Sequence, residues 1–445
     1  MAKKPDAIAG MMQALKREGI EYLRFELPDM AGLSRSKTVP IDKVEAYARE
    51  GLNFYGGVLG LDTSSNVVPA SGLHTQQNYA DQLLFPDPDS LRVIPWVPNT
   101  ASVVCLGTWY DGTPQRMAPR YVFSELVKRA NGLGYDVFLG HEYEYYLLSA
   151  ETRQRLFEGM HIFHTVRNQY TPFLDNLVPT LRAYGIDIIT HNCEYAGSQF
   201  ETNFGPAKNM EGVDKAFAFK NAMKELGHRN GLIATFMAKP FAGHSGSGCH
   251  LHISLIDRKT GKNAFLDAKD AVSLSPLGKS FTEGVLQHGA GMMPLINPTP
   301  NCYHRVKPYT FAPSNISWGE QDRSAMVRIK STHDERTHIE MRGGSAASNP
   351  YLLAAAVLAA GLAGVEAKAK LREQSRTVTS EDNPDLQRFP QTLDAALDAL
   401  EADTVLGSYL GEDFVKAFAA VKRFELNRFH SHVTDWETNE YLELY

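Results

Sequence analysis

The chain has only four cysteines, and no two of them are spaced as a CxxC pair. Disulfide scaffolds and structural zinc sites require more numerous or more closely spaced cysteine and histidine ligands. We therefore expect free thiols in a reducing compartment, which makes a cytoplasmic location the expectation. The cysteines are Cys105, Cys193, Cys249 and Cys302.

Other features that the sequence lacks exclude further classes of protein. The 45 basic residues do not outnumber the 51 acidic ones, and the formal net charge is −6, so a nucleic-acid partner is not expected. The first residues carry positive charge but no continuous apolar core, which argues against a secretory signal. No GxxxxGK[ST] motif is present, which excludes a P-loop nucleotide site.

Long hydrophobic runs are also scarce. The most apolar segment, "YLLAAAVLAAGLAGVEA" from Tyr351, has a strongly apolar part shorter than the roughly 20 residues that span a bilayer. No membrane partner is therefore expected. The preceding "SNP" supplies an N-cap residue and a proline for the first turn. The segment is predicted to form a buried central helix.

The pattern of turn residues and apolar residues changes along the chain. Up to about residue 110, short strand-like runs alternate with turns rich in Pro, Asp and Gly. From Tyr121, longer helical patterns are interleaved with strands, and each helical pattern ends in a glycine. We predict an α+β protein with a small N-terminal domain, residues 1–112, and a large C-terminal domain, residues 113–445. The helical patterns are "YVFSELVKRANGLG", "LDNLVPTLRAYG" and "DKAFAFKNAMKELGHRNG".

Pairs of polar residues interrupt several strand-like runs. "GHEYEYYLL" places Glu142 and Glu144 in an apolar run, and strand alternation puts both on one face. An unpaired carboxylate inside a protein is costly, so these two require partners. Further segments carry comparable pairs: "GCHLHISLI" has His250 and His252, "THIEMRGG" has Glu340 and Arg342, and "HNCEYAGSQFETNF" has Glu194 and Glu201 around a glycine-containing turn.

Taken singly, each pair has an ordinary structural explanation, such as a buried Glu–Arg pair or a hydrogen-bonded core histidine. Five glutamates and two histidines in one interior are harder to explain, because like charges at short range raise pKa values and cost several kcal/mol. Divalent cations would remove this conflict. The excess of carboxylate oxygens favours Mg²⁺ or Mn²⁺, and the imidazoles suit Mn²⁺.

Several arginines follow in the C-terminal part. Guanidinium groups bind phosphate and carboxylate oxygens through two parallel hydrogen bonds, although any single arginine could equally lie in solvent. Cations together with several arginines indicate a site for a polyphosphate and an acidic substrate, which is the arrangement of phosphoryl transfer. The arginines are Arg305, Arg323, Arg328 and Arg342.

A series of segments, in this order along the chain, resembles the motifs of one enzyme family. "GHEYEYYLL" resembles G-P-E-x-E-F, "EYAGSQFE" resembles E-x-x-x-G-Q-x-E, and "GSGCHLHISL" resembles G-S-G-M-H-x-H. "NCYHRVKP" resembles N-S-Y-K-R-L-x-P, "RSAMVRI" resembles R-S-A-x-I-R-I, and "HIEMRGGSAASNPYL" resembles R-I-E-x-R…A-N-P-Y-L. The sequence therefore resembles the glutamine synthetase superfamily.

The resemblance implies a fold and a reaction. The implied fold is a small N-terminal β-grasp-like domain and a large catalytic α+β domain with a curved antiparallel sheet. The implied assembly is a dodecamer of two stacked hexameric rings, with active sites between subunits. The implied chemistry has two steps: ATP phosphorylates the γ-carboxylate of glutamate, and an amine then attacks the acyl phosphate.

The resemblance also implies residue roles. One metal ion would be held by Glu144, Glu194 and Glu201, and the other by Glu142, His250 and Glu340. The ATP site would include His252, Ser254 and Arg328. Glutamate would be bound by Arg305 and Arg342 beside Gly246, and the transferring phosphate by Arg323 and Arg328.

The sequence departs from the family motifs in the expected ammonium site. "RVKPYTFAP" has Phe311 where the motif R-x-x-P-G-Y-E-A-P has a glutamate. "NFYGG" has Tyr55 where the motif F-D-G-S-S has an aspartate. A further departure concerns the expected glutamate site, where Ser245 replaces the asparagine of N-G-S-G. Ammonium offers only charge and N–H donors, so losing two carboxylates should weaken its binding severely.

An alkylammonium ion adds an apolar group that an aromatic wall can bury, at about 0.8 kcal/mol for each carbon, with a cation–π contribution. The hypothesis is therefore a glutamate–alkylamine ligase with methylamine as the first choice, giving γ-glutamylmethylamide. Glu194 is the candidate base for the amine proton.

The alternatives stay open at this point. They are a glutamine synthetase that uses ammonia, a γ-glutamyl ligase for a polyamine or an aromatic amine, a non-catalytic regulatory member of the family, and a metal-dependent hydrolase that needs no nucleotide.

Overall fold

The structure is a computed structural model that describes residues 6–159, 162–168, 172–374 and 383–445. Within these residues, six strands of the N-terminal part form one sheet in the order β2-β1-β6-β4-β3, with β5 paired to β6. β1 and β6 are parallel, and the other pairs are antiparallel. The strands are β1 Tyr22–Pro28, β2 Ser34–Pro40, β3 Leu52–Tyr55, β4 Asp81–Pro86, β5 Arg92–Val93 and β6 Thr100–Thr108.

Alternate apolar residues along β1 point to one face of the first sheet, and this face packs into a core with two helices. Leu23, Phe25 and Leu27 on β1 are fully buried and belong to the same cluster as residues of two helices, α1 Ala7–Arg17 and α2 Ile41–Glu50. α1 begins at Asp6, whose Oδ1 accepts hydrogen bonds from the backbone N–H groups of Ile8 and Ala9. β1 and β6 are among the short strands that the sequence leads us to expect in this region.

A second sheet occupies the larger part of the chain. Nine strands of the described residues form it in the order β13-β14-β15-β12-β7-β9-β8, with β10 and β11 also paired to β7. All pairs are antiparallel except β13 with β14. The strands are β7 Tyr135–Ser149, β8 Ile188–Cys193, β9 Gln199–Phe204, β10 Ala207–Lys208, β11 Leu232–Thr235, β12 Cys249–Asp257, β13 Trp318–Glu320, β14 Val327–Lys330 and β15 His338–Met341.

Helices pack against this sheet and against one another. The helix α9, Pro350–Glu366, is apolar on every side, and its residues from Pro350 to Gly364 are buried. Its N-cap Asn349 accepts hydrogen bonds from the N–H groups of Tyr351 and Leu352, so the predicted buried central helix is confirmed. The remaining helices are α3 Pro119–Gly132, α4 Thr165–Asn168, α5 Pro172–Ala183, α6 Met210–Arg229, α7 Pro276–Gln287, α8 Gly289–Ile296, α10 Leu393–Ala402, α11 Thr404–Leu410, α12 Glu412–His430 and α13 Asp435–Tyr441.

The predicted α+β class is confirmed, and the large sheet, predicted to be antiparallel, is antiparallel in every pair except β13 with β14. The three helical patterns are α3, α5 and α6, and the glycines predicted to follow them have the left-handed backbone that ends a helix. Their φ values are +97° for Gly134, +82° for Gly185 and +67° for Gly231. The domain boundary between residues 112 and 113 stays a prediction.

A buried ion pair links the two parts of the chain. Arg120 on α3 donates to Asp214 on α6 at 2.6 and 2.9 Å, and to Asp87 of the N-terminal part at 2.6 Å. Tyr351 on α9 also donates to Asp214, at 2.6 Å. One guanidinium thus connects the first sheet to two helices of the larger part.

None of the helices in the described ranges combines the length and apolar character needed to cross a membrane. All four cysteines are buried, and none of them forms a disulfide within the described ranges.

Candidate active site

The polar pairs predicted from the sequence converge because the strands that carry them are neighbours. β9, β7, β12, β15 and β14 lie side by side in the sheet. The register places the polar residues of adjacent strands opposite one another, so their side chains share one face. The cross-strand pairs are Glu144–Glu201, Glu142–His250, His252–Glu340 and Arg328–Glu340.

The alternate residues of the same strands point away from this face. Tyr143 and Tyr145 on β7 are fully buried, as are Leu251 on β12 and Ile339 and Met341 on β15. These residues anchor the sheet in the core. The polar residues between them therefore face a cavity of about 910 Å³ that lies over the sheet.

The first group of acids, Glu144, Glu194 and Glu201, lines one side of this cavity. Burial, together with the nearby Glu144 and Glu142, raises the pKa of Glu194 to about 7. Burial and the same neighbours raise the pKa of Glu201 to about 9. No lysine or arginine in the described part of the chain forms an ion pair with Glu194 or Glu201. These carboxylates are therefore crowded by other acids. Arg323 offsets part of the negative charge around Glu194 from beyond ion-pair distance, so the group still fits a bound divalent ion.

The second group combines carboxylates with histidines. His250 Nδ1 lies 2.7 Å from Glu142 Oε1 and 3.6 Å from Glu340 Oε1, and His250 Nε2 lies 4.0 Å from Glu144 Oε1. His252 Nε2 lies 3.5 Å from Glu142 Oε2. One ligand atom each from Glu142, His252 and Glu340 fit within 4.8 Å of one another, a set that could hold a metal ion. The predicted ligands Glu142, His250 and Glu340 lie near one another, but the compact ligand set contains His252 in place of His250.

Two arginines neutralise the most buried acid. Arg328 Nη1 lies 3.1 Å from Glu340 Oε2, and Arg342 Nη1 pairs with Glu340 Oε1. Burial alone would raise the pKa of Glu340, but His250 and Arg342 lower it to about 2. Glu340 is therefore held as a carboxylate, available to a cation on its histidine side.

Arg305 is a buried cation that lines the cavity and has one donor without a partner in the described part of the chain. Its side chain is 2% exposed, and its Nη1 has no hydrogen-bond partner among the described residues. Burial lowers the pKa of Arg305. Gly246 also lines the cavity, and a Cβ there would lie 2.8 Å from the Arg305 side chain. A buried guanidinium without its own anion fits an acidic substrate.

Of the other residues predicted to belong to the site, some line the main cavity and some lie outside it. Arg323 and Arg328 line the same cavity. Ser254 instead lines a second cavity of about 440 Å³, which shares Glu142, His252 and Asn203 with the first. Tyr55 does not line either cavity of its own chain; its hydroxyl lies 2.6 Å from Nδ1 of His74.

Phe311 lines the main cavity but is 72% exposed in this chain. Its ring packs against Tyr195, with ring centroids 4.9 Å apart. A third cavity of about 240 Å³ begins beside the same two rings. Phe311 and Tyr195 are referred to below as the aromatic pair.

Several residues at the cavity were missed by the sequence reasoning. Tyr195 follows Glu194 directly and could have been noticed as an aromatic neighbour of the predicted base. Gln199 donates to the carbonyl oxygen of Gly246 at 3.0 Å, and Gly248 donates its N–H to Glu144 Oε2 at 2.7 Å. Lys330 lines the cavity but has no distinctive sequence pattern. The repeated glycines of "GHSGSGCH" were the available signal for close backbone packing.

The comparisons with known proteins agree with this geometry. Residues 116–441 match the family described as glutamine synthetase, catalytic domain. A glutamine synthetase of Halobacterium salinarum is 30% identical over 97% of this chain and 96% of its own length. One of Thermus thermophilus is 31% identical over 98% of this chain and 99% of its own length.

Solved structures are also similar over the whole chain. A structure described as a GmaS/ADP complex has a TM-score of 0.86 and 29% identity, covering 97% of this chain and 99% of its own. GmaS without ligand has a TM-score of 0.86 and 30% identity, with the same coverage. The chain therefore belongs to the glutamine synthetase family, which comprises ATP-dependent ligases that join glutamate to ammonia or an amine.

Proposed function

We propose that this protein is a glutamate–alkylamine ligase that uses ATP, with methylamine as the preferred amine and γ-glutamylmethylamide as the product. The observation that carries the proposal is the content of the 910 Å³ cavity. It contains a cluster of acids for cations, a buried arginine that forms no ion pair with the described residues, and an aromatic pair in place of the acidic ammonium site.

Two divalent cations, Mg²⁺ or Mn²⁺, fit the two groups of acids. Glu144, Glu194 and Glu201 would hold one cation. The second would be held by Glu142, His250 and Glu340. Bound there, the cations would neutralise the phosphate oxygens of ATP and of the transferring phosphoryl group. The absence of a lysine or arginine partner for Glu194 and Glu201, within the described residues, supports this assignment.

ATP fits the second cavity, which adjoins the acid groups. Phe138, Ile189 and Ile253 supply an apolar lining suited to a planar base, and Ser254 adds a hydroxyl. Glu142 and His252 line both cavities, so a nucleotide in the second cavity would direct its phosphates into the first. That a GmaS structure is described as an ADP complex supports a nucleotide in this fold.

Glutamate fits the part of the main cavity near Arg305. Nη1 of Arg305, which has no hydrogen-bond partner among the described residues, can donate to one substrate carboxylate, with Arg342 as the second guanidinium. The missing side chain of Gly246 lets the backbone lie close to Arg305. In the first step, an oxygen of the γ-carboxylate attacks the γ-phosphorus of ATP, and the bond to the ADP oxygen breaks. Arg323 and Arg328 would stabilise the charge on the transferring phosphoryl group.

The amine fits beside the aromatic pair. In the second step, the amine nitrogen attacks the γ-carbonyl carbon of γ-glutamyl phosphate, the amine proton passes to the carboxylate of Glu194, and inorganic phosphate leaves. Glu194 adjoins Tyr195 in sequence and lines the same cavity. The rings of Tyr195 and Phe311 offer the alkyl group an apolar contact that ammonium cannot use.

The third cavity argues against a polyamine. Lys239 and His244 line it together with the aromatic pair, and none of its lining residues in the described chain is acidic. The distant ammonium group of a diamine placed there would meet Lys239 instead of a carboxylate. A small monoamine avoids this repulsion.

Sequence identity does not choose between ammonia and an amine. The glutamine synthetases are 30–31% identical to this chain, and the GmaS structures are 29–30% identical. The choice between ammonia and an amine therefore depends on the residues that line the amine site. The favouring observation is Phe311 in contact with Tyr195 at the position where the family motif has a glutamate.

The test is an ADP-release assay with glutamate, ATP and Mg²⁺ or Mn²⁺. It compares ammonium with methylamine, ethylamine, a diamine and an aromatic amine by kcat/KM. Methylamine is expected to give the highest value, and ammonium giving the highest value would overturn the proposal. Absence of turnover with every amine would favour the non-catalytic alternative. Metal-dependent hydrolysis of a substrate in the absence of ATP would favour the hydrolase.

Matched variants separate charge from size at the amine site. Phe311→Glu is expected to shift the preference toward ammonium, because it restores a carboxylate. Phe311→Gln has the same length as glutamate without its charge and should lower methylamine turnover without improving ammonium. If both variants respond alike, charge at position 311 does not determine the amine.

The assembly and the location belong to the same proposal. A dodecamer of stacked hexameric rings would bring the Tyr55 of a neighbouring subunit toward the amine site, which Tyr55 does not reach within its own chain. Light scattering of the purified protein measures the subunit number. Four buried cysteines without a disulfide among the described residues support a cytoplasmic location.

A further inference from the structure

His338 occupies a position where the family motif R-I-E-x-R has arginine. It lies at the start of β15, and its ring is close to that of His252 on the adjacent strand β12, with centroids 5.0 Å apart. His338 Nε2 lies 2.9 Å from His252 Nδ1, and His338 Nδ1 lies 2.6 Å from the backbone carbonyl oxygen of Arg336. The two rings and the carbonyl group form a chain of hydrogen bonds.

The direction of this chain follows from what each atom can do. A carbonyl oxygen only accepts, so His338 Nδ1 carries a proton and donates to Arg336. A neutral imidazole has one N–H, so His338 Nε2 is an acceptor. His252 Nδ1 must then donate to it. In neutral His252 the lone pair is consequently on Nε2.

His252 Nε2 faces the second acid group. It lies 3.5 Å from Glu142 Oε2 and belongs to the compact ligand set with Glu142 and Glu340. His250 instead places its Nδ1 2.7 Å from the other oxygen of Glu142. A lone pair opposite a carboxylate oxygen is repulsive unless a proton or a cation lies between them, and a divalent cation suits the geometry.

We propose that His338 is a positioning residue that fixes the tautomer of His252, so that His252 Nε2 becomes a ligand of the second divalent cation. This inference rests on the two-cation site of the proposed function. It gives His252 a role different from the contact with ATP expected from the family resemblance. Orientation of a metal-binding histidine by a hydrogen bond to its other nitrogen is a general feature of metal sites.

The arginine of the family motif would have the opposite effect. A guanidinium has only donors, so His252 Nδ1 would have to accept and the proton of a neutral ring would lie on Nε2. Such a histidine could donate to a phosphate oxygen but could not bind a cation. The change from arginine to histidine at position 338 thus converts a donor into a ligand.

The test measures Mn²⁺ binding to the metal-free protein by electron paramagnetic resonance, without nucleotide, glutamate or amine. His338→Leu removes the acceptor and should weaken one of the two sites by about 10–100-fold. His338→Gln retains an acceptor oxygen and should restore most of the affinity. Arg336→Ala keeps the backbone carbonyl and serves as the matched control, with unchanged affinity.

The tautomer is a second readout that loss of packing alone would not alter. Magic-angle-spinning NMR of metal-free protein labelled with ¹⁵N-histidine should show His252 protonated at Nδ1, with the signal assigned by its loss in His252→Ala. In His338→Leu this preference should disappear.

Two results would overturn the inference: equal Mn²⁺ affinities for His338→Leu and Arg336→Ala, or a proton on Nε2 of His252 in the wild-type protein. Both are independent of the amine panel. The amine panel can therefore contradict the proposed ligase activity without affecting the role of His338. The Mn²⁺ and NMR measurements can likewise contradict the role of His338 without affecting the proposed ligase activity.

Discussion

Gly248 donates its backbone N–H to Oε2 of Glu144 at 2.7 Å, and the same residue packs against the guanidinium of Arg305. A Cβ at position 248 would collide with Nη2 of Arg305 and lie 3.0 Å from Nε2 of His250. One glycine therefore sets the spacing between a predicted cation ligand and the predicted glutamate-binding arginine.

Gly248→Ala is expected to reduce kcat/KM for glutamate by about 10²-fold, because it displaces Arg305 or Glu144 by a fraction of an ångström to an ångström. The overall fold should remain, since the collision is confined to the cavity. Steady-state kinetics and a thermal melt measure the two effects. Gly407→Ala on α11 is the matched control, because a Cβ there has nothing within 4 Å. Unchanged kinetics in Gly248→Ala would contradict the assigned spacing.

The Arg120–Asp214 pair gives a prediction about stability. Arg120 is 1% exposed and Asp214 is 4% exposed. Removing one partner leaves a buried charge, so Arg120→Met should lower the free energy of unfolding by about 3–5 kcal/mol. The double variant Arg120→Met, Asp214→Leu should lose less than Arg120→Met alone, because neither charge remains. Urea denaturation measures both values. A double variant less stable than the single variant would show that the ion pair is not the source of the loss.

Removal of divalent ions should destabilise the protein. Ligands that bind only the folded state add about 2.7 kcal/mol at one hundred times their dissociation constant. Addition of Mn²⁺ should therefore raise Tm in a calorimetric scan, and a chelator should reverse the increase.

Glu201→Gln should have opposite effects with and without the metal. The metal-free variant should melt at a higher temperature than the metal-free wild type at neutral pH, because folding no longer has to suppress the ionisation of a crowded carboxyl group whose pKa is raised to about 9. Its gain in Tm on adding Mn²⁺ should be smaller, because a ligand is missing. Glu158→Gln, at an exposed carboxylate outside the cavity, should change neither value. An equal gain in the variant and the wild type would remove Glu201 from the cation site.

The sequence was informative where a local pattern determines the structure. The helix α9 could be predicted because its residues are apolar on every side and its N-cap and proline are adjacent in sequence. Glu142 and Glu144 could be assigned to one face of a strand for the same reason, since alternation depends only on neighbouring residues.

The pairing of distant strands could not be predicted in this way. Glu142 and His250 are in contact across 108 residues of chain, and a change of register by one residue would separate them. The sequence therefore indicated that both histidines of "HLH" belong near the acids, but not which nitrogen faces which carboxylate. His338 was missed as a partner of His252 because it lies 86 residues further on. The position of Ser254 in a second cavity depends on the same register.

Glu26 on β1 provides a prediction about pH. It is 7% exposed, and burial raises its pKa from 4.5 to about 7, with Arg24 acting in the opposite direction. Between these two pH values the folded protein binds more protons at this residue than the unfolded chain does. The free energy of unfolding should therefore fall as pH rises from 4.5 to 7, by about 3 kcal/mol from this residue, and remain lower above pH 7.

Glu26→Gln removes this titration and should be more stable than the wild type at pH 8, with a smaller difference at pH 5. The comparison uses urea denaturation at both values, with denaturant slopes checked for equality. Glu21→Gln is the matched control, because its side chain is exposed at the residue preceding the same strand. If Glu26→Gln and Glu21→Gln change the pH dependence equally, the carboxyl group of Glu26 ionises without cost in the folded protein. The burial of β1 against the core would then be looser than the structure indicates.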